Sequence, residues 1–199
     1  TTLDRFMHHN RQTPALLWSF AYFFCLLSGY YVLRPVRDAM GASSEVEAVF
    51  PSAMIAFFAA HGIPLKDIVL QVLATCTFVF ILIAQPLYGA LVSKYTRRVF
   101  LPVLFGFFIA CLFIFYALFH SNVTGRGMAF FVWVTVFNVF SVSVFWSFMA
   151  DVFNSREARK YYGYIGAAGT VGAFTGPMLT RTLAVEVGIA NLMLVSAAF

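Results

Sequence analysis

Long uncharged stretches of the chain alternate with short stretches that carry its lysines, arginines and acids. A helix needs about 20 residues to cross the ~30 Å hydrocarbon layer of a membrane. Runs of roughly that length or longer occupy residues 12–33, 68–93, 99–119, 127–150 and 161–180, and a further, shorter run occupies residues 187–199. This pattern predicts an all-α fold, a polytopic membrane helix bundle.

Residues 48–65 form one more uncharged stretch, but Pro51, His61, Gly62 and Pro64 interrupt it. Only about ten residues between the prolines favour a continuous helix, which is short for a membrane span. We therefore expect an interfacial or re-entrant helix in the loop that follows the first span.

The composition fits lipid as the solvent. The chain is 61% hydrophobic and only 11% charged, whereas globular domains carry roughly 25% charged residues. Its net charge of +5 comes from short basic clusters between apolar runs. Nucleic acid is therefore not an expected partner, because binding it needs basic residues on one polar face.

No motif for catalysis or metal binding is present. The three cysteines lie in different apolar runs, without a CxxC pair or a Cys/His cluster, so we expect neither a metal site nor a disulfide framework. Neither HExxH nor GxSxG occurs, and no span contains a pair of acids. We therefore expect no catalytic residues and no cofactor, and the protein is not predicted to be an enzyme.

The basic residues of the loops predict the orientation. With six spans, one side holds eight of them, namely Arg5, Arg11, Lys94, Arg97, Arg98, Arg156, Arg159 and Lys160. The other side holds five, namely Arg34, Arg37, Lys66, Arg126 and Arg181. This places the amino terminus in the cytoplasm. If residues 48–65 also crossed the membrane, the same division of basic residues would place the amino terminus outside. The shortness of residues 48–65 therefore decides between the two orientations.

The stretch "GALVSKYTRR", residues 89–98, lies between the second and third spans. It resembles the signature loop of the major facilitator superfamily, Gly-x-x-x-Asp-Arg-x-Gly-Arg-Arg, although Ser93 and Thr96 differ from that pattern. The residues that match it, or replace it conservatively, are Gly89, Lys94, Arg97 and Arg98. We expect Gly89 to let two helices approach closely and the basic residues to form a cytoplasmic gate. A generic positively charged loop is the alternative.

The stretch "YYGYIGAAGTVGAFTGP", residues 161–177, is rich in glycine. At ~100° per residue, its four regularly spaced glycines fall within an arc of about 120°. They are Gly166, Gly169, Gly172 and Gly176. We expect this face to pack closely against a neighbouring helix, which could slide or rock on it during transport.

Polar residues interrupt the apolar run 127–150. Asn138, Ser141 and Ser143 are expected to hydrogen-bond a neighbouring helix or to line a wet cavity with Trp146. The end of this run and the turn that follows carry Asp151, Arg159 and Lys160. These three are expected to belong to the cytoplasmic gate, with surface anchoring as the alternative for the basic residues.

The first apolar run ends in "YYVLRPVRDAMG", residues 30–41. Because a residue before proline is disfavoured in the α region, we expect the first helix to end or kink near Arg34. Arg34 and Arg37 could extend to the membrane surface, which requires no substrate. They could equally hold a phosphate group, since guanidinium is the best bidentate partner for one. Both interpretations are open on the residues alone.

Three stretches, "YYVLRPVRDAMG", "FWSFMADVF" and "KYYGYIGAAGTVGAFTGP", occur in an order and spacing that resemble the amino-terminal half of the nucleotide transporter family. This family comprises the ATP/ADP translocases of plastids and intracellular bacteria, with their free-living bacterial relatives. The resemblance implies a twelve-helix transporter that exchanges nucleoside triphosphate for diphosphate. It also implies phosphate contact at Arg37, the position matching the family's basic residue in the first helix. The nucleotide-exchanging members carry a carboxylate in the fourth span, whereas residues 127–150 contain none.

We therefore expect the six-helix amino-terminal half of a secondary active transporter that works by alternating access and carries nucleotides or another phosphorylated anion. Its expected substrate-binding residues are Arg34, Arg37, Asp38, Asn138, Ser141, Ser143 and Trp146. Its expected partners are membrane lipid, a small anionic solute and the carboxy-terminal half of the same protein. The expected location is the inner membrane of a bacterium. The alternatives are transport of an unrelated solute, or a membrane protein that binds a partner without transporting.

Overall fold

The computed structural model describes residues 2–121 and 123–199, with the side chains from residue 14 onwards except those of residues 97, 98 and 122. This part of the chain contains no strand, which confirms the prediction of an all-α protein. Its helices are α1 (Thr2–Gly41), α2 (Val46–Val49), α3 (Ser52–Ala60), α4 (Val69–Lys94), α5 (Arg97–His120), α6 (Arg126–Val152), α7 (Ser155–Val187) and α8 (Asn191–Ala198). A short 3-10 turn, Leu65–Asp67, precedes α4.

Four helical segments are long and apolar enough to cross a membrane. They are Pro14–Gly41, Val69–Lys94, Val99–His120 and Arg126–Val152. Their mean hydropathy lies between 1.6 and 2.6, and at 1.5 Å per residue each exceeds ~30 Å. These four helices indicate an integral membrane protein, as the sequence predicted.

The last two predicted spans differ from these four. Helix α7 contains the run 161–180. Its glycines, threonines and charged ends lower its mean hydropathy, so it is not one of these four strongly apolar helices. Helix α8 has eight residues and is therefore only about 12 Å long. The described residues thus contain four helices that could span the membrane by length and apolarity, and the arrangement of six spans stays a prediction.

A kink near Arg34 stays a prediction, but α1 does not end there, which corrects the other form of this expectation. The helix continues through Pro35 to Gly41, although Pro35 cannot donate the backbone hydrogen bond that an ordinary residue would make there. Packing explains the difference, because Val32 and Leu33 are completely buried and Val36 is nearly so. Burial of these side chains outweighs the local preference of the residue before proline.

Helices α1, α6 and α7 form the centre of the molecule. Helix α1 packs along most of its length against α7, and it also contacts α6 and α8. Between α1 and α6, the ring of Phe23 stacks on that of Phe145 at 4.4 Å between centroids. By contrast, only 17% of the apolar window is buried in each of α4 and α5. These two helices therefore lie at the periphery and present most of their surface outwards.

The segment between α1 and α4 is anchored at one end and exposed in the middle. Val49 and Phe50 are completely buried in a small cluster that also contains Phe131 of α6. Helix α3 has nine residues and none of them is buried. Because it is only about 13 Å long, it cannot cross the hydrocarbon layer by itself.

Candidate functional site

The carboxylate of Asp38 lies between two guanidinium groups near the end of α1. The Nε and Nη2 atoms of Arg37 donate to its Oδ1 atom at 3.0 and 2.6 Å. The Nε atom of Arg34 is 3.6 Å from Oδ2, which is beyond the usual hydrogen-bond distance. We call Arg34, Arg37 and Asp38 the arginine cluster. With two positive groups and one negative group, its formal net charge is +1.

Arg37 is held in place by two further contacts. Its Nη1 atom donates to the hydroxyl oxygen of Tyr30 at 3.1 Å, and its guanidinium carbon lies 5.5 Å from the centre of the Phe131 ring on α6. Only 16% of its side chain is exposed. Arg37 is therefore packed between α1 and α6.

Arg34 is the more accessible arginine of the cluster. Its side chain is 46% exposed, and its guanidinium carbon lies 5.4 Å from the centre of the Tyr31 ring. A planar guanidinium that faces outwards can donate two parallel hydrogen bonds to a phosphate or a carboxylate. Chemically, the arginine cluster can bind an anion.

Sequence reasoning missed Tyr30 and Phe131 as parts of this site. Tyr30 precedes Arg37 by seven residues, and this spacing places the two side chains on the same helix face, so a signal was present. No feature of the sequence pointed to Phe131, because its contact with Arg37 depends on how α1 and α6 pack. Within the described residues, no group of histidines, cysteines and acids could hold a metal ion.

The polar residues predicted on α6 do not share one environment. Ser141 is buried, and its hydroxyl has no hydrogen-bond partner among the described residues. Ser143 is exposed and donates to the carbonyl oxygen of Val139 at 2.7 Å. Asn138 is partly buried, and Trp146 packs between the rings of Phe23 and Tyr162.

No contact joins these α6 residues to the arginine cluster among the described residues, and the shared cavity stays a prediction. Arg37 lies beside Phe131, and Trp146 follows fifteen positions later on α6, about 22 Å away along the axis. Ser141 and Ser143 are separated by ~200° around the helix and so face opposite sides. We therefore take the arginine cluster as the candidate site and exclude Ser143 and Trp146 from it.

Clefts of substantial size lie elsewhere in the described part of the chain. A polar one of about 480 Å³ is lined by residues that include Glu45, Glu47 and Arg126. An apolar one of about 320 Å³ lies between α1, α5 and α8. Another apolar one, of about 570 Å³, lies between α4, α5 and α6. Neither Arg34 nor Arg37 lines any of them.

Three glycines of α7 lie directly against α1. A Cβ atom added to Gly169 would stand 2.5 Å from the ring of Phe23, and one added to Gly172 would stand 2.9 Å from the carbonyl oxygen of Phe24. One added to Gly176 would stand 2.5 Å from the Cβ atom of Tyr31. We call this contact of Gly169, Gly172 and Gly176 with α1 the glycine seam.

Gly166 does not belong to the glycine seam, which corrects the predicted four-residue face. A Cβ atom there would meet no described atom within 4 Å. At ~100° per residue, Gly166 is about 60° from Gly169 and farther from the other two, so it lies at the edge of the arc. The arc that contains the four glycines is therefore wider than the surface of α7 that α1 covers.

Side-chain hydroxyls cross the contact of α1 with α7 and α8. Thr180 donates to the carbonyl oxygen of Val32 at 2.8 Å, and Ser196 donates to that of Gly29 at 2.8 Å. The hydroxyls of Ser28 and Thr175 are 3.2 Å apart. Together with the glycine seam, these bonds fix the position of α1, and hence of its arginines, relative to α7.

The predicted gate residues lie at the ends of the helices that are opposite to the arginine cluster. Lys94 is exposed beside the ring of Tyr95, and Lys160 is exposed beside the ring of Tyr161. Asp151 and Arg159 are also exposed. The side chains of Arg97 and Arg98 lie outside the described part, so the gate as a whole stays a prediction.

Gly89 does not mediate a close approach of two helices within this chain. A Cβ atom there would meet no described atom within 4 Å. The reason is that Gly89 lies on the exposed face of α4, whereas the neighbouring Tyr88 packs on Phe140 of α6. The expectation of close packing at Gly89 is therefore corrected.

No protein-family model, no curated protein and no solved structure matches the chain. The resemblance to the nucleotide transporters therefore rests on the sequence motifs alone. What the arginine cluster can do follows from its own geometry.

Proposed function

We propose that this protein is a secondary active membrane transporter that carries a nucleotide or another phosphorylated anion by alternating access. In this proposal, the chain is the six-helix amino-terminal half of a twelve-helix bundle of the major-facilitator type. Its amino terminus lies in the cytoplasm and the membrane is the inner membrane of a bacterium. The observation that carries the proposal is the arginine cluster on α1.

A charged side chain within an apolar helix is costly and therefore usually functional. Arg37 lies four residues before the end of the candidate span Pro14–Gly41 and is largely buried. One carboxylate cannot neutralise two guanidinium groups, so the cluster retains positive charge that favours an anion. The planar N–H donors of arginine match the oxygens of a phosphate better than those of most other solutes.

An alternative role for these arginines is to anchor α1 at the membrane surface. An anchoring side chain needs its charged group in the polar interface and no particular partner. Arg37 instead has a hydroxyl partner, Tyr30, and an aromatic partner, Phe131. A guanidinium held in a defined orientation suits recognition of a ligand better than anchoring.

The packing of the helices supports transport by rigid-body movement. In transporters of this kind, one bundle of helices rocks against another around the substrate site. The glycine seam and its hydroxyl bonds join α1 to α7 as one unit. The arginine cluster would then move with this unit, and the movement would occur against another bundle.

The proposal can be tested by uptake into proteoliposomes that contain the intact protein. Labelled ATP is supplied outside, with or without ADP inside, and unlabelled ATP, inorganic phosphate or adenosine is added as competitor. We expect saturable uptake that ATP or phosphate inhibits and that adenosine, which lacks a phosphate, does not. Well-folded protein that takes up neither ATP nor phosphate would contradict the proposal.

A further inference from the structure

We infer that Asp38 is an internal competitor of the substrate: its carboxylate occupies the N–H donors of Arg37 when the site is empty, and a phosphate group displaces it. This inference rests on the proposed function, since the same arginines would hold the transported anion. It adds a control on the affinity of the site.

The two partners differ in how firmly they are held. Arg37 is 16% exposed, whereas Asp38 is 52% exposed. Arg37 keeps its contacts with Tyr30 and Phe131 when the carboxylate leaves, because neither contact involves Asp38. The side chain of Asp38 can rotate into the surroundings, so the carboxylate is the partner that gives way.

The position of Asp38 in the helix weakens its ion pairs with the two arginines. It lies in the last turn of α1, where the helix dipole disfavours a negative charge. It also follows Arg34 by four residues, which is the less favourable order for an ion pair along a helix. Exposed ion pairs contribute little in any case. A phosphate group carries more negative charge and more acceptor oxygens, and it can therefore replace this carboxylate.

Competition of this kind lowers the apparent affinity for every anion. The apparent dissociation constant equals the intrinsic one divided by the fraction of molecules in which Arg37 is free. Because this fraction is the same for every anion, the competitor weakens all of them by the same factor. Without the carboxylate, the affinity rises.

The test is the affinity of the intact protein for ATP and for inorganic phosphate, measured as equilibrium binding in lipid nanodiscs. Asp38→Asn removes the charge while keeping the shape, and we expect it to tighten binding roughly three- to tenfold. Asp38→Ser, whose side chain is too short to reach Arg37, should do the same. Asp38→Glu keeps the competing charge and should stay within about twofold of wild type.

Glu45→Gln is the matched control, because it removes the same charge from the exposed loop after α1. It should change the affinity by less than about twofold. Weaker or unchanged binding in both neutral variants at Asp38, with wild-type thermal stability, would overturn the inference and make Asp38 a positioning residue. If wild type and all variants bind neither probe, the proposed function itself fails.

Discussion

Gly176 of α7 lies against the backbone of Tyr31 of α1, so closely that an added methyl group would stand 2.5 Å from the Cβ atom and 2.8 Å from the carbonyl carbon of Tyr31. The ring of Tyr31 in turn lies beside the guanidinium of Arg34. The glycine seam therefore ends next to the arginine cluster. Any change that separates α1 from α7 at this point also moves the proposed anion site.

Gly176→Ala should destabilise the protein by about 1–3 kcal/mol, because the added methyl group meets backbone atoms that cannot move aside. Gly166→Ala is the control on the same helix, where a Cβ atom meets nothing within 4 Å. It should be neutral or stabilise the helix by up to ~1 kcal/mol. Thermal unfolding in detergent measures both. Equal stability of the two variants would mean that α7 does not pack on α1 through this face.

Thr180→Val should cost about 0.6 kcal/mol and at most ~2, the usual range for a hydrogen bond between membrane helices. The hydroxyl of Thr180 reaches Val32 on α1. Thr182→Val is the matched control, because among the described residues the exposed hydroxyl of Thr182 bonds only to carbonyl groups of its own helix. The same unfolding assay should separate the two variants. A cost at Thr182 as large as that at Thr180 would argue against the contact between helices.

The turn between α6 and α7 contains a helix cap. The side chain of Asn154 accepts from the backbone N–H groups of Arg156 and Glu157, and the side chain of Glu157 accepts from the backbone of Asn154. Asn154→Ala should therefore cost about 1 kcal/mol. Asn154→Asp, which keeps the accepting oxygen, should retain wild-type stability. Wild-type stability in Asn154→Ala would show that the cap contributes nothing.

The hydrophobic pattern was sufficient to predict helices at α4, α5 and α6. Their ends lie within about two residues of the ends of the predicted runs. Charged residues are disfavoured in the hydrocarbon layer, so the positions where they end an apolar run also mark the limits of a spanning helix. The glycine-rich stretch likewise predicted a close contact for α7. The cap at Asn154 was missed although its sequence, Asn-Ser-Arg-Glu, carries the required spacing of cap and acid.

Other features could not be predicted from local sequence. The preference of Arg34 before proline indicated a helix end or a kink, but burial of Val32 and Leu33 keeps the helix from ending there. The surface that α1 covers on α7 depends on how the two helices cross, so the exclusion of Gly166 was not foreseeable. The same holds for Phe131, which meets Arg37 only through tertiary packing.

The predicted orientation can be tested with single cysteines in a variant that lacks the three native ones. Thr96 and Ser121 lie in exposed turns at opposite ends of α5. A membrane-impermeant thiol reagent should label a cysteine at Thr96 only from the cytoplasmic side and one at Ser121 only from outside. Labelling of both from one side would show that α5 does not cross the membrane, and the reverse pattern would invert the orientation.

The central claim is that Arg37 holds a phosphate group, and the affinity of a lysine variant tests it most directly. Arg37→Lys keeps the charge but loses the planar pair of N–H donors, so the affinity for ATP should fall about tenfold. Arg37→Gln should abolish binding, because the anion would lose its charged partner. Arg126→Lys serves as the control, since this arginine lies beside Phe119, outside the arginine cluster.

The measurement is the transport affinity of the intact protein in proteoliposomes for wild type and these three variants. We expect the wild-type affinity in Arg126→Lys, a clear loss in Arg37→Lys and no saturable uptake in Arg37→Gln. A lysine variant at position 37 with wild-type affinity would contradict the account, because at the membrane surface only the charge of the side chain matters.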